Sequence, residues 1–154
     1  MTPRMTDYFK PTHPGVKAMF ALEAAIKASG LEAKLLHLVK MRASQINHCA
    51  FCLHLHATEA MRDGEDPMRL HLLPAWREVP LYSARERAAL AWTESLTNLA
   101  QTGAPDEDYA VIEAAFSAEE RLNLSLAIGA INVWNRLQTG FRASPALGAH
   151  SDAA

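Results

Sequence analysis

The chain has 154 residues, of which 49% are hydrophobic and 21% are charged, and its formal net charge is -2. A chain of this length buries enough surface to fold as one domain without disulfide bonds. The small negative charge and the pI near 6.4 argue against nucleic acid or an anionic membrane as the main partner. A membrane span needs about eighteen consecutive apolar residues, and the sequence has no such stretch. The first ten residues lack the apolar core of a secretory signal, so we expect a cytoplasmic protein.

Apolar residues recur with helical spacing along almost the whole chain, and strand signals are nearly absent. Capping boxes that begin at Ser83 and Ser117 mark two helix starts, and Asp66 followed by proline marks another. The segment 122–128 alternates like a strand, but the capping box before it and the helical spacing after it favour a helix. We therefore predict an all-α bundle of six or seven helices over 14–30, 32–46, 49–63, about 66–76, 83–99, 106–116 and 117–138.

These helices predict one domain over 14–142, with loosely ordered tails at 1–13 and 143–154. The helices are rich in alanine and carry apolar stripes on more than one face, which indicates self-association. Asn132, Asn135 and Arg136 are polar residues on an otherwise apolar helix. We interpret them as buried groups satisfied by neighbouring backbone, in preference to a subunit interface or the floor of a site.

The segment QINHCAFCLHLH (45–56) contains both cysteines of the chain and three of its seven histidines. On an α-helix Cys49, Cys52 and His56 lie within about 60° of one another, so two sulfurs and one imidazole face the same point. Residues 47–48 are a plausible break between two helices, which places both cysteines in a first helical turn. The helix dipole and the unpaired N–H groups favour thiolate there. A thiolate attacks peroxides or disulfides, a second thiol resolves the product, and His56 can carry the proton.

Two other interpretations of this segment stay open. The two cysteines and His56 could be part of a zinc site, although the sequence holds no second short-spaced ligand pair. The cysteines could also be unreactive core residues, because free cysteine is among the most buried residue types. The redox interpretation is favoured because chance rarely places two thiols and a histidine on one helical face at a helix start.

The segment 40–65, KMRASQINHCAFCLHLHATEAMRDGE, resembles the cysteine-pair segment of the alkylhydroperoxidase D (AhpD) and carboxymuconolactone-decarboxylase-like family. The similarity continues through 70–97 and 125–142, and covers most of the chain from about 15 to 142. The resemblance implies an all-α bundle that forms homo-oligomers, as a dimer, trimer or hexamer. It also implies a peroxidase that needs no metal, haem or flavin.

Residue by residue, the resemblance implies that Cys49 and Cys52 are the redox pair and that His56 relays a proton. It also implies that Cys52 attacks the peroxide and that Cys49 exchanges with the reductant, whereas the helix-dipole argument alone would favour Cys49 as the attacker. Many family members carry glutamate where this chain has His37, and a histidine can still shuttle protons there. Peroxidase members also carry histidine where this chain has Phe51. Both departures reduce the peroxidase activity we expect, and neither disturbs the dithiol.

We therefore expect an enzyme of antioxidant defence that reduces hydroperoxides through a dithiol–disulfide cycle. An external thiol or dithiol must supply the electrons, since no nucleotide-binding loop such as G-x-G-x-x-G is present. One alternative is a protein disulfide oxidoreductase without strong peroxidase activity. Another is a non-redox lyase of the decarboxylase type, although the resemblance implies that this branch lacks the cysteine pair.

Overall fold

The computed structural model describes residues 2–146, and within that range the chain forms helices and no β-strand. The helices are α1 (Pro14–Lys27), α2 (Ala33–Ile46), α3 (Ala50–Arg62), α4 (Pro67–Leu72), α5 (Ala84–Thr97), α6 (Leu99–Thr102), α7 (Asp106–Ala115) and α8 (Ala118–Gly140), with a 3-10 turn at Leu73–Ala75. The expected all-α class is confirmed. The described residues hold eight α-helices instead of six or seven, because α6 is a single turn that periodicity does not separate from α5.

Side-chain caps begin the helices where the sequence predicts them. Ser83 and Ser117 each accept a hydrogen bond from the backbone N–H of a glutamate three residues later, and the carboxylate of that glutamate accepts the serine N–H. Asp66 accepts the N–H of Met68 at 2.8 Å and so begins α4. The alternating segment 122–128 lies inside α8, which confirms the helix prediction.

Helix α2 is central to the bundle and packs against α3, α5 and α8. Its Leu38 and Val39 have no exposed surface and contribute to two different core clusters. Burying a side chain of this size contributes roughly 1.5–3 kcal/mol. Because α2 ends just before the cysteines, the core anchors one side of the cysteine segment.

The N-terminal segment 2–13 forms no helix and is mostly exposed, and single residues of it contact the bundle. The Tyr8 hydroxyl donates to the side-chain oxygen of Gln138 on α8. The Phe9 ring lies 5.4 Å from the Trp134 ring, measured between centroids. These contacts join the segment to residues far away in the sequence, which is why helical periodicity does not indicate them.

The two ends of the domain meet at the end of α8. The Arg4 N–H donates to the Phe141 carbonyl at 2.9 Å. Of the predicted C-terminal tail, residues 143–146 have no regular structure, and 147–154 lie outside the described residues. In the described range, no helix has the length and apolar character needed to cross a membrane.

Candidate functional site

The cysteine segment begins at a tight turn between α2 and α3. Helix α2 ends at Ile46, and His48 then takes a φ of 53°, in the left-handed region that residues with side chains rarely adopt. This conformation redirects the chain so that Cys49 becomes the N-cap of α3. The predicted break at residues 47–48 is confirmed, with the refinement that Cys49 precedes the first turn and Cys52 lies within it.

Cys49 and Cys52 form a disulfide across the first turn of α3, with their Cα atoms 5.4 Å apart. Cys49 Sγ also accepts the Cys52 N–H at 3.4 Å, in the position that a serine or aspartate oxygen takes at an ordinary N-cap. After reduction, this position stabilises a negative charge on the Cys49 sulfur, because the positive end of the helix dipole is directed at it.

A cavity of about 230 Å³ reaches the cysteine pair from one side. Cys52 and His56 both line it, and Cys49 does not. Both cysteines are buried, at 1% exposed for Cys49 and 3% for Cys52, and both belong to a core cluster with Val16 and Ala43. The structure thus brings His56 and one of the two sulfurs to a common space, as the helical spacing predicts. The apolar part of the cavity wall consists of Phe9, Phe20, Phe51, Leu55 and Trp134.

The buried ring of His56 lies one helical turn after Cys52 and is held by Glu59. His56 Nδ1 is 3.0 Å from Glu59 Oε2. The hydrogen bond with His56 lowers the pKa of Glu59 below its ordinary value of 4.5, so this carboxylate is ionised at neutral pH. A neutral His56 that donates its Nδ1–H to the carboxylate keeps Nε2 as an acceptor. Because helical side chains lean towards the helix N-terminus, the ring leans towards Cys52 and can take its proton.

His37 of α2 is bonded to Asp63 and not to His56. His37 Nε2 lies 2.9 Å from Asp63 Oδ2, and hydrogen bonds from His37 and then Arg62 lower the pKa of Asp63. Where the family resemblance implies a glutamate, this chain has His37, and the carboxylate that contacts His56 is that of Glu59 on the same helix. Sequence reasoning missed Glu59, although its i, i+3 spacing from His56 places both on one helical face.

Glu23 connects three helices at the cavity wall. It accepts a hydrogen bond from Lys40 Nζ at 2.6 Å and another from Trp134 Nε1 at 3.1 Å. Sequence reasoning missed Glu23 and Lys40 because they lie on α1 and α2, with no fixed spacing from the cysteines. Since Lys40 compensates the charge of Glu23, the remaining fixed charge in this cavity is the Glu59 carboxylate beside His56.

Three asparagines and a serine form a polar cluster at the turn before Cys49. Asn47 Nδ2 donates to Asn132 Oδ1 at 3.0 Å and to Asn135 Oδ1 at 2.9 Å. Asn135 Nδ2 donates to Ser44 Oγ at 3.0 Å. The interpretation as buried groups satisfied by neighbouring backbone is confirmed for Asn132, whose Nδ2 donates to the Ile128 carbonyl at 2.9 Å. It is wrong for Asn135, whose partners are the side chains of Asn47 and Ser44. The cluster ties α8 to the turn and fixes the position of Cys49.

The zinc interpretation finds no additional ligand in the part of the chain that the structure describes. Within residues 2–146, no group of three or more His, Cys, Asp or Glu side chains is arranged to hold a metal ion. The cysteine sulfurs are bonded to each other, and His56 Nδ1 is directed at Glu59. The described geometry is thus that of a disulfide with a buried imidazole one helical turn away.

Known proteins resemble this chain in sequence and in fold. The carboxymuconolactone decarboxylase family matches residues 15–95. The uncharacterised protein YdfG of Bacillus subtilis (strain 168) is 36% identical over 131 residues, which cover 85% of this chain and 89% of YdfG. A solved structure from Agrobacterium tumefaciens, of a protein of unknown function described as a candidate antioxidant defence protein AhpD, is 43% identical, with a TM-score of 0.90 over 96% of this chain and 100% of that chain. The debrominase Bmp8, in complex with tribromopyrrole, is 19% identical with a TM-score of 0.75 over 84% of this chain and 70% of that chain, a similarity of fold alone.

Proposed function

The chain belongs to the carboxymuconolactone decarboxylase family, and from that premise we propose that it is an AhpD-like peroxidase that reduces organic hydroperoxides with its cysteine pair. The observation that carries the proposal is that Cys52 and His56 line one cavity while Cys49 lies within bonding distance of Cys52. A nucleophile, a proton carrier and a resolving thiol are the three groups that such a reaction requires.

The oxidative half of the cycle uses all three groups. His56 Nε2 takes the proton of the Cys52 thiol, and the thiolate attacks the terminal oxygen of the hydroperoxide. The O–O bond breaks, the alkoxide takes the proton back from His56, and Cys52 becomes a sulfenic acid. Cys49 then attacks Cys52 Sγ and expels the oxygen as water, which carries away the Cys49 proton. The two electrons of the dithiol have reduced the hydroperoxide to an alcohol and water, and a disulfide remains.

The proposal is tested with the reduced protein and a limiting amount of an organic hydroperoxide. Free thiols and intact mass are followed with time. We expect both thiols to disappear together with two hydrogens, faster than an equal concentration of glutathione is consumed. If both thiols persist while glutathione is consumed at the same rate or faster, the peroxidase proposal fails.

Replacing Glu59 with glutamine is expected to slow the oxidation of the thiols about tenfold at neutral pH. A positioned general base contributes about a hundredfold or more to a rate, and this substitution removes only the charge that orients the base, His56. The folded pKa of Glu59 is lowered, so the carboxylate that is hydrogen-bonded to His56 keeps its charge above the ordinary value of 4.5 and loses it as the pH falls through the folded pKa. The defect should therefore persist from neutral pH down to about pH 5 and shrink below it, which stopped-flow thiol loss against pH would measure.

The matched control for Glu59 is Thr58→Ala on the same helix. Thr58 is exposed, and its hydroxyl donates to the His54 carbonyl at 2.8 Å, away from the cavity. This variant should keep the wild-type rate and pH profile. Equal rates for Glu59→Gln and Thr58→Ala would contradict the positioning role of Glu59.

We also expect the protein to act as a homo-oligomer. Leu122, Leu126 and Val133 lie within about 40° of one another around α8, and they are 61%, 40% and 41% exposed. A stripe of this kind is typical of an interaction surface. Leu126→Glu should shift the assembly to smaller species in light scattering, whereas Met68→Glu, at a residue of α4 that is 54% exposed, should not. A wild-type monomer, or an unchanged assembly of Leu126→Glu, would contradict this expectation.

A further inference from the structure

We infer that the reducing thiol enters the cavity that also admits the peroxide and attacks Cys52, so that Cys49 is the sulfur expelled when the disulfide is reduced. The inference rests on the proposed dithiol cycle and concerns its reductive half. It reverses the assignment implied by the family resemblance, in which Cys49 exchanges with the reductant.

Of the two sulfurs, that of Cys52 can be reached from the cavity. A thiolate must reach the sulfur that it attacks, and the accessible sulfur of a disulfide is the one that exchanges. Of the two sulfurs, only that of Cys52 belongs to a residue that lines the cavity of about 230 Å³. Both cysteines belong to the core cluster of Val16, Ala43 and Ile131, so the cavity, and not burial, distinguishes the two sulfurs. A small thiol inside the cavity therefore meets Cys52 first.

The polar cluster at the turn before Cys49 adds to this argument. Asn47 at that turn is held by Asn132 and Asn135 of α8, through bonds of 3.0 and 2.9 Å. Both α8 residues are buried, at 9% and 1% exposed. A thiol that approached Cys49 from this side would have to separate α8 from the turn and break those bonds.

Of the two sulfurs, that of Cys49 is the better leaving group. Thiol–disulfide exchange is faster when the departing sulfur is the more stable thiolate. Cys49 is the N-cap of α3, where its sulfur accepts the Cys52 N–H at 3.4 Å and faces the positive end of the helix dipole. The sulfur that can be reached and the sulfur that leaves more easily are different atoms, and both features favour attack on Cys52.

The reductive half then runs in two balanced steps. The thiolate of the first donor bonds to Cys52 Sγ, the Cys49–Cys52 bond breaks, and Cys49 leaves as a thiolate. The thiolate of a second donor attacks the sulfur of the first, which releases a donor disulfide and the Cys52 thiolate. The donors supply two electrons, and their two protons return to the two cysteines. The apolar cavity wall favours a small, uncharged donor thiol.

The first test traps the intermediate on the oxidised wild-type protein. Mercaptoethanol is mixed with the disulfide form, the reaction is stopped with acid, and free thiols are blocked with N-ethylmaleimide. Peptide fragmentation between the two cysteines then locates each label. We expect mercaptoethanol on Cys52 and maleimide on Cys49 at the earliest times. The opposite pattern overturns the inference.

The second test uses the variants Cys49→Ser and Cys52→Ser with dithiodipyridine, a small disulfide reagent that is uncharged at neutral pH. In the folded proteins, Cys52 of the first variant should react at least about tenfold faster than Cys49 of the second, because access controls the rate. In denaturant the two rates should converge. Equal or reversed rates in the folded proteins overturn the inference. Neither test uses a hydroperoxide, so failure here leaves the peroxidase proposal standing, and failure of the peroxide test leaves this result unaffected.

Discussion

Replacing Cys52 with serine is expected to abolish hydroperoxide reduction, with a loss of about a thousandfold or more, the scale typical of removing an enzyme's nucleophile. Cys52 is the cysteine that lines the cavity with His56, and a serine hydroxyl is not a nucleophile towards peroxide oxygen at neutral pH. The measurement is thiol-dependent consumption of an organic hydroperoxide, together with the mass of the protein after one exposure. The variant should keep its remaining thiol and its mass.

Cys49→Ser is the matched variant and should give a different result. Serine is a preferred N-cap, so it preserves the start of α3 while removing the resolving thiol. Oxidation should then stop at a sulfenic acid on Cys52, seen as a gain of one oxygen and trapped by dimedone. If Cys49→Ser is inert and Cys52→Ser forms the sulfenic acid, the roles of the two cysteines are exchanged. Circular dichroism of both variants separates loss of chemistry from loss of fold.

The all-α fold was predictable because its signals are local. Helical spacing of apolar residues and the caps at Asp66, Ser83 and Ser117 each act within a few residues, and the structure confirms all three caps. The helix count was less predictable, since a one-turn helix such as Leu99–Thr102 shows no periodicity. The packing of Phe9 on Trp134 depends on contact between distant parts of the chain, which no local pattern records.

The candidate site also contains residues that local sequence predicts and residues that depend on packing between helices. Cys49, Cys52 and His56 lie on one short stretch, so helical geometry alone brings them together. Glu59 obeys the same geometry, since its i, i+3 spacing from His56 places both side chains on one face of α3. Glu23 comes from another helix, and its place at the cavity is decided by the packing of α1 against α8. Which of the two sulfurs can be reached likewise depends on the position of the cavity and not on the spacing of the cysteines in the sequence.

Replacing Glu94 with glutamine is expected to lower the free energy of unfolding by about 1–3 kcal/mol, somewhat less than the loss on breaking a fully buried ion pair. The Glu94 side chain is 16% exposed. Its Oε1 accepts from Arg42 Nε at 2.7 Å and from Trp76 Nε1 at 2.8 Å, and its Oε2 accepts from Arg77. Glu94 therefore connects α5 to α2 and to the chain after the 3-10 turn. A neutral amide at this position would leave the partly buried Arg42 without its counter-charge. Chemical denaturation at neutral pH measures the loss.

The pH dependence of this loss distinguishes a charge effect from a packing effect. Burial alone would raise the pKa of Glu94, but hydrogen bonds from Trp76, Arg77 and Arg42 outweigh it and hold the pKa below 4.5. A carboxyl whose folded pKa is lowered stabilises the protein above its unfolded pKa, and the contribution disappears as the pH falls through the folded value. The difference in the free energy of unfolding between wild type and Glu94→Gln should therefore be largest at neutral pH and decrease in acid. Glu78 is exposed, so Glu78→Gln should have the same free energy of unfolding as wild type at every pH. If the loss in Glu94→Gln does not change with pH, the shape of the Glu94 side chain, and not its charge, holds the three elements together.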